Sequence, residues 1–148
     1  MVTDNNAEVS GAYVVGQWSV SHDETSRTSG QAYVDYTERA SYLYEEKRTT
    51  YSVDLQHHRT RGRHELVVGG WLRRNSYDLA GSGILTFTQE IDSETVISAF
   101  IQDDISLIED RLSLTVGLKL EDNELSPDDI EVMPTVRLLW KPVNDHTL

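Results

Sequence analysis

The sequence predicts an all-β fold: an antiparallel up-and-down meander of about seven to eight long strands, a barrel or barrel-like. Three observations carry this. In Arg111 to Leu120, the residues Leu112, Leu114, Val116, Leu118 and Leu120 alternate with Arg111, Ser113, Thr115, Gly117 and Lys119. In Ile130 to Trp140, the alternate positions Ile130, Val132, Pro134, Val136, Leu138 and Trp140 are apolar. Strand side chains point to opposite faces in turn, so each run has one greasy and one mainly polar face; a helix of period 3.6 would scatter them. Both runs match the ~9–11 residues a tilted strand needs to cross a bilayer, against ~5–6 in an ordinary sheet. Third, short and long polar connections alternate along the chain.

Taken in order, Ala12 to Ser21 is a strand with Val14, Gly16, Trp18 and Val20 on one side, closed by the turn His22 to Thr25. Thr28 to Thr37 returns, with Ala32, Val34 and Tyr36 facing one way. After a longer connection, Glu38 to Glu46, the third strand runs from Lys47 to His57 with Tyr51, Val53 and Leu55 alternating. Arg59 to Arg63 is a basic turn, and His64 to Arg74 is a strand that Gly69-Gly70 weakens. Ser76 to Glu94 is a long connection with a β-like piece at Ile84 to Thr88, then Thr95 to Leu107 is a strand and Ile108 to Asp110 an acidic turn. The two diagnostic strands follow, joined by the acidic loop Asp122 to Asp129, and after a turn His146 begins a further strand. Short turns at one end and longer loops at the other are the rhythm of an outer-membrane barrel.

The length suits a single domain over 1–148, with 1–10 a polar, disordered leader. Acidic residues outnumber basic ones 25 to 13, a net charge of −12, which argues against a nucleic-acid partner. Without cysteine there is neither a disulfide frame nor a thiolate metal site. Met1 to Gly11 shows no signal-peptide pattern. No apolar run reaches the length of a membrane helix, but a strand-based membrane protein would not show one.

From Ser98 through Asp104, from Asp110 through Lys119, and from Met133 through Pro142, the chain resembles a TonB-dependent outer-membrane receptor. Asp145 to Leu148 is similar to the next turn and strand start of that family, and the likeness extends more weakly over Ala12 to Arg74. The resemblance implies a slice of a 22-stranded wall around a plug. It also implies an outer-membrane location, uptake of a small-molecule ligand such as a ferric siderophore, and TonB as partner. The plug domain and the coupling segment have no counterpart here, so autonomous transport is not implied. No ligand residue carries over.

A slice has two unpaired edges and a greasy face to hide. The favoured expectation is a small barrel closed with that face inward, soluble on its own; homo-oligomers joined through edges or apolar faces are the other route. Two further readings stand beside the receptor segment. One is a small barrel with ester-hydrolase activity, for which Ser52, His58 and Asp103 are the catalytic candidates. The other is a lipocalin-like binder of apolar ligands. For a metal, His57, His64, Asp122 and Asp128 are the candidates, though adjacent strand residues point apart and metal sites need converging ligands. The more economical reading makes them turn or solvated residues, and no cofactor is expected. Asp103, beside Ile101 and Ile105 on the apolar side, is either a raised-pKa acid or one half of an ion pair. Tyr13, Tyr33, Tyr51, Trp18 and Trp71 read as girdle or core aromatics.

Overall fold

The computed structural model describes residues 7–41, 44–81, 92–126 and 130–142. They form one seven-stranded antiparallel sheet in sequence order. The strands are β1 (Glu8–Asp23), β2 (Ser26–Ala40), β3 (Tyr44–Arg61), β4 (His64–Gly81), β5 (Ser93–Ile108), β6 (Leu112–Asn123) and β7 (Glu131–Trp140). The sheet is not closed: β1 and β7 each pair on one side only. The meander is therefore as expected, and closure into a small barrel is not what the chain adopts.

Several strands run further than the alternation suggests. β1 starts at Glu8, within the expected leader, and β3 and β4 have 18 residues each. The additions lie mostly at one end, where Glu45, Glu46, Lys47 and Arg48 are polar on both faces and leave no alternation to read. β4 runs through Gly69-Gly70 without a break; the Phe100 ring lies over Gly69, where a Cβ would come within 2.8 Å of it. The β-like piece at 84–88 and the final strand start at 146–148 lie outside the described residues.

Connections at one end are tight. Glu24-Thr25 joins β1 to β2, Gly62-Arg63 joins β3 to β4, and Glu109 to Arg111 joins β5 to β6. Gly62 has φ of 61°, the positive value that the twist of a two-residue hairpin asks for and that glycine takes without strain. Asp110 takes φ of 58° in the three-residue turn, a conformation aspartate tolerates better than most. At the other end the connections are 41–43, 82–92 and 124–130.

Register fixes which side chains share a face. Val14, Val34 and Tyr51 are cross-strand partners in turn, and so are Ala32, Val53, Leu72 and Ile97. Ile101, Leu118 and Pro134 continue the same face, as do Ile105, Leu114 and Leu138. The opposite face carries rows such as Gln17, Gln31, Asp54, Trp71, Ser98 and Glu121.

Burial is inverted relative to a soluble protein. Of the buried residues described, Thr50, Ser52, Val96 and Ser98 lie on the polar face and Gly30, under the Trp18 ring, on the apolar one; Val96 is the only buried hydrophobic side chain among them. Val53, Leu72, Ile97 and Val136 on the apolar face are exposed. The accessible surface is 11365 Å². A compact monomer of 16.8 kDa would show roughly 7,600 Å² by the usual size scaling. The expected inward-turned greasy face is therefore corrected: the polar face holds the buried side chains and the apolar face is the open one, as on the concave and convex sides of a curved sheet. Side chains on the inside of a curved sheet crowd together while those outside splay, which produces the burial difference.

Candidate functional site: the two faces of the wall

The apolar face is an oblique band. On β1 its first apolar residue is Ala12, and on β7 it is Val132. Following the register from Val132 through Leu120, Ala99, Gly70, Leu55 and Gly30 leads to Trp18, not Ala12. Ala12 and Trp18 are six residues apart and β1 and β7 are six steps apart, so the band slips one residue per strand. With a rise of ~3.4 Å per residue and ~4.8 Å between strands, that slip is a strand tilt of about 35°. On β6 the band runs from Leu112 to Leu120. Its height after tilting is roughly 22 Å, close to the ~25 Å apolar belt of a membrane barrel.

Aromatic residues mark the margins of the band. Tyr36 and Tyr51 stand at the long-loop end, Trp18 and Trp140 toward the short-turn end. Such amphipathic rings suit the two interfaces of a bilayer. Trp18 lies flat over Gly30, whose missing side chain leaves it room. Tyr13, Tyr33 and Trp71, grouped with these rings in the sequence, belong to the polar face instead.

The polar face carries cross-strand hydrogen bonds. Gln17 Nε2 donates to Gln31 Oε1 at 2.6 Å, and Thr50 Oγ1 donates to Asn75 Oδ1 at 2.9 Å. Asn75 Nδ2 in turn donates to Glu94 Oε2 at 3.1 Å. Gln102 Nε2 donates to Asp104 Oδ2 at 2.9 Å, and the Thr115 hydroxyl donates to the other oxygen of the same carboxylate. Trp71 has the Arg73 guanidinium 5.2 Å and the Lys119 ammonium 5.6 Å from its ring centre, a cationic pair over one indole. An open cleft of about 930 Å³ sits on this face at the short-turn end, lined by Ser19, Arg27, Gln56, His58 and Thr60 among others.

At that end the tight turns are also tied down. Asp23 accepts from the Thr25 amide at 2.7 Å and from its hydroxyl at 2.8 Å. These bonds, the hydroxyl first, hold the Asp23 carboxyl below its ordinary value.

The sequence-derived site residues are not brought together. Ser52 and His58 share the polar face of β3 but are six residues apart, roughly 20 Å at strand rise. Ser52 is buried, His58 Nε2 binds Glu65 Oε1 at 2.8 Å, and Asp103 lies on the opposite face. His57 and His64 lie on the apolar face two rows apart, Asp122 lies near its far margin, and Asp128 is outside the described residues. Among the described residues no three His, Cys, Asp or Glu side chains converge on a metal position. Asp103 Oδ2 lies 2.7 Å from His64 Nδ1, a carboxylate–imidazole hydrogen bond that becomes an ion pair when the histidine is protonated.

A cluster on the apolar face escaped sequence reasoning. The Thr28 hydroxyl meets His22 Nε2 at 2.8 Å and His57 Nδ1 at 2.9 Å, with the two rings 5.9 Å apart. Their positions along the chain carry no signal; only the pairing of β1, β2 and β3 assembles them.

A family model described as TonB dependent receptor-like, beta-barrel matches residues 3–148. The chain belongs to the TonB-dependent receptor β-barrel family. That membership agrees with the oblique apolar band and the inward polar face. TonB-dependent receptors are proteins of the outer membrane, and interaction with TonB and binding of a ligand belong to the family. No curated protein and no solved structure matches the chain.

Proposed function

We propose that these seven strands form a section of an outer-membrane TonB-dependent receptor wall, apolar face to lipid and polar face to the lumen. The supporting observation is the one-residue-per-strand slip of the apolar band together with the exposure of that band: a flat sheet has no reason to slant its apolar residues, and an inward-folded barrel would bury them. On this reading the tight turns lie at the periplasmic end and the long connections outside the cell. The polar strand extensions of β2, β3 and β4 then project past the bilayer, which accounts for strands far longer than the membrane requires.

The wall lines a path for a hydrated ligand in TonB-driven uptake; the lumenal cleft is bordered by serines, Asp23, Glu24, Arg27, Gln56 and His58, with Val67 the one aliphatic side chain among them. That lining speaks against a lipocalin-like store for greasy molecules.

The edges indicate their neighbours. The Lys141 amide donates to the Arg111 carbonyl, which sets the ladder phase, so the even residues of β7 direct their backbone groups to the free edge. Pro134 stands among them without an N–H to offer. β1 and β7 run parallel, so closure on itself, or joining two like-oriented copies edge to edge, needs a parallel seam. An antiparallel seam between copies would invert one of them across the bilayer. The favoured neighbour at each edge is thus a different, antiparallel strand of the same barrel.

Polarised infrared spectroscopy of the chain in oriented lipid films tests this. Strands tilted by about 35–45° are expected; strands lying in the membrane plane would overturn the reading.

A further inference from the structure

One register row of the apolar face is Val20, Thr28, His57, Val68, Ile101, Leu118 and Pro134. Only Thr28 and His57 in it are polar. In the next row toward the tight turns, Ser26 and Arg59 stand beside Leu66. On β2 and β3 the lower margin of the apolar band is therefore notched by a threonine, a serine, an arginine and a histidine, with His22 closing the side.

The chemistry of the notch is donor-rich. Thr28 has one hydroxyl proton and meets two imidazole nitrogens, so it donates to one ring and accepts from the other. Neutral rings arranged this way leave one N–H, at His57 Nε2 or His22 Nδ1, directed away from Thr28. Ser26 Oγ lies 3.4 Å from His57 Nε2. Arg59 is exposed and makes no side-chain hydrogen bond or ion pair among the described residues; its charge acts at longer range on the Asp23 carboxylate, which is hydrogen-bonded by Thr25. Arg61 follows on the same face.

We propose that this notch binds the phosphate of an anionic phospholipid headgroup in the leaflet at the tight-turn end. The inference rests on the apolar face being the lipid face. Arg59 supplies charge, the hydrogen-bonded chain His22–Thr28–His57–Ser26 supplies one directed donor, His22 Nδ1–H or the Ser26 hydroxyl, and Val20 and Val68 on either side receive the acyl chains. Guanidinium is well matched to phosphate oxygens, and each basic residue at an anionic surface strengthens attraction.

The test uses the full chain refolded in detergent with Trp18 as its only tryptophan (Trp71→Phe, Trp140→Phe). Quenching of Trp18 is titrated with brominated phosphatidylglycerol and, separately, with brominated phosphatidylcholine, at pH 8, where ordinary imidazoles are neutral. The expected result is tighter binding of phosphatidylglycerol. Arg59→Gln should reduce that preference about five-fold. His57→Leu, which completes the apolar row and should fold normally, should also reduce it, while Arg137→Gln on the polar face should not. Equal affinity for both lipids, or a preference indifferent to Arg59→Gln and His57→Leu, would overturn the notch and leave the wall standing. Quenching by neither lipid would remove the lipid-facing assignment and the notch together.

Discussion

Ser52 and Val53 are consecutive in β3, yet the serine is 7% exposed and the valine 53%. In a water-soluble sheet the order would be reversed, because burying a valine is favourable by about 1.5–3 kcal/mol and burying a hydroxyl is not. An apolar medium outside the curve, as proposed for the wall, accounts for the pair.

Charge on the two faces should therefore have unequal effects. Val53→Lys is expected to destabilise the lipid-embedded chain by about 2–4 kcal/mol, the range for a cation near the middle of a barrel's outer face. Asp54→Lys, one residue on and turned to the polar side, should change stability far less. Urea unfolding in lipid or detergent, followed by tryptophan fluorescence, compares the two.

Gly30 has its own constraint. A Cβ there would sit 2.5 Å from Trp18 Cζ2, so the indole could no longer lie across the backbone. Gly30→Val should displace Trp18, shift its emission and cost about 1–3 kcal/mol by overpacking. Unchanged emission and stability would show that the ring has another resting place.

The Asp23 turn predicts a pH dependence. Its carboxyl is held below the ordinary value by the Thr25 hydroxyl and amide. A folded-state pKa below the unfolded one means that the unfolded chain takes up the proton first as pH falls. The stabilisation is present above the unfolded pKa and is lost as pH drops through the folded value. NMR titration should give Asp23 a midpoint below that of free aspartate, and Asp23→Asn should remove its share of the acid-limb slope.

How much of this was legible follows from what alternation encodes. β6 and β7 were clear because every second residue is apolar along nearly the whole strand, and β1 to β5 followed with blurred ends. The ends blurred where residues such as Glu45 to Arg48 are polar on both faces and give no alternation. The inward or outward sense of the greasy face was not legible. Alternation in Leu112 to Leu120 is the same whether the sheet curls toward one face or the other, and the expectation of inward burial assumed water outside. The slant of the band and the His22–Thr28–His57 cluster needed the register between strands, which no single strand contains.

The outward apolar face can be measured directly, because the chain has no cysteine. Single cysteines at Val53 and Leu118, and at Asp54 and Thr115, sample the two faces in the detergent-refolded chain. Fluorophores at Val53 and Leu118 should be quenched by a micelle-dissolved spin label, while cysteines at Asp54 and Thr115 react with a charged, water-borne maleimide. The opposite pattern, with Val53 and Leu118 shielded from the micelle and Asp54 and Thr115 facing it, would contradict the account.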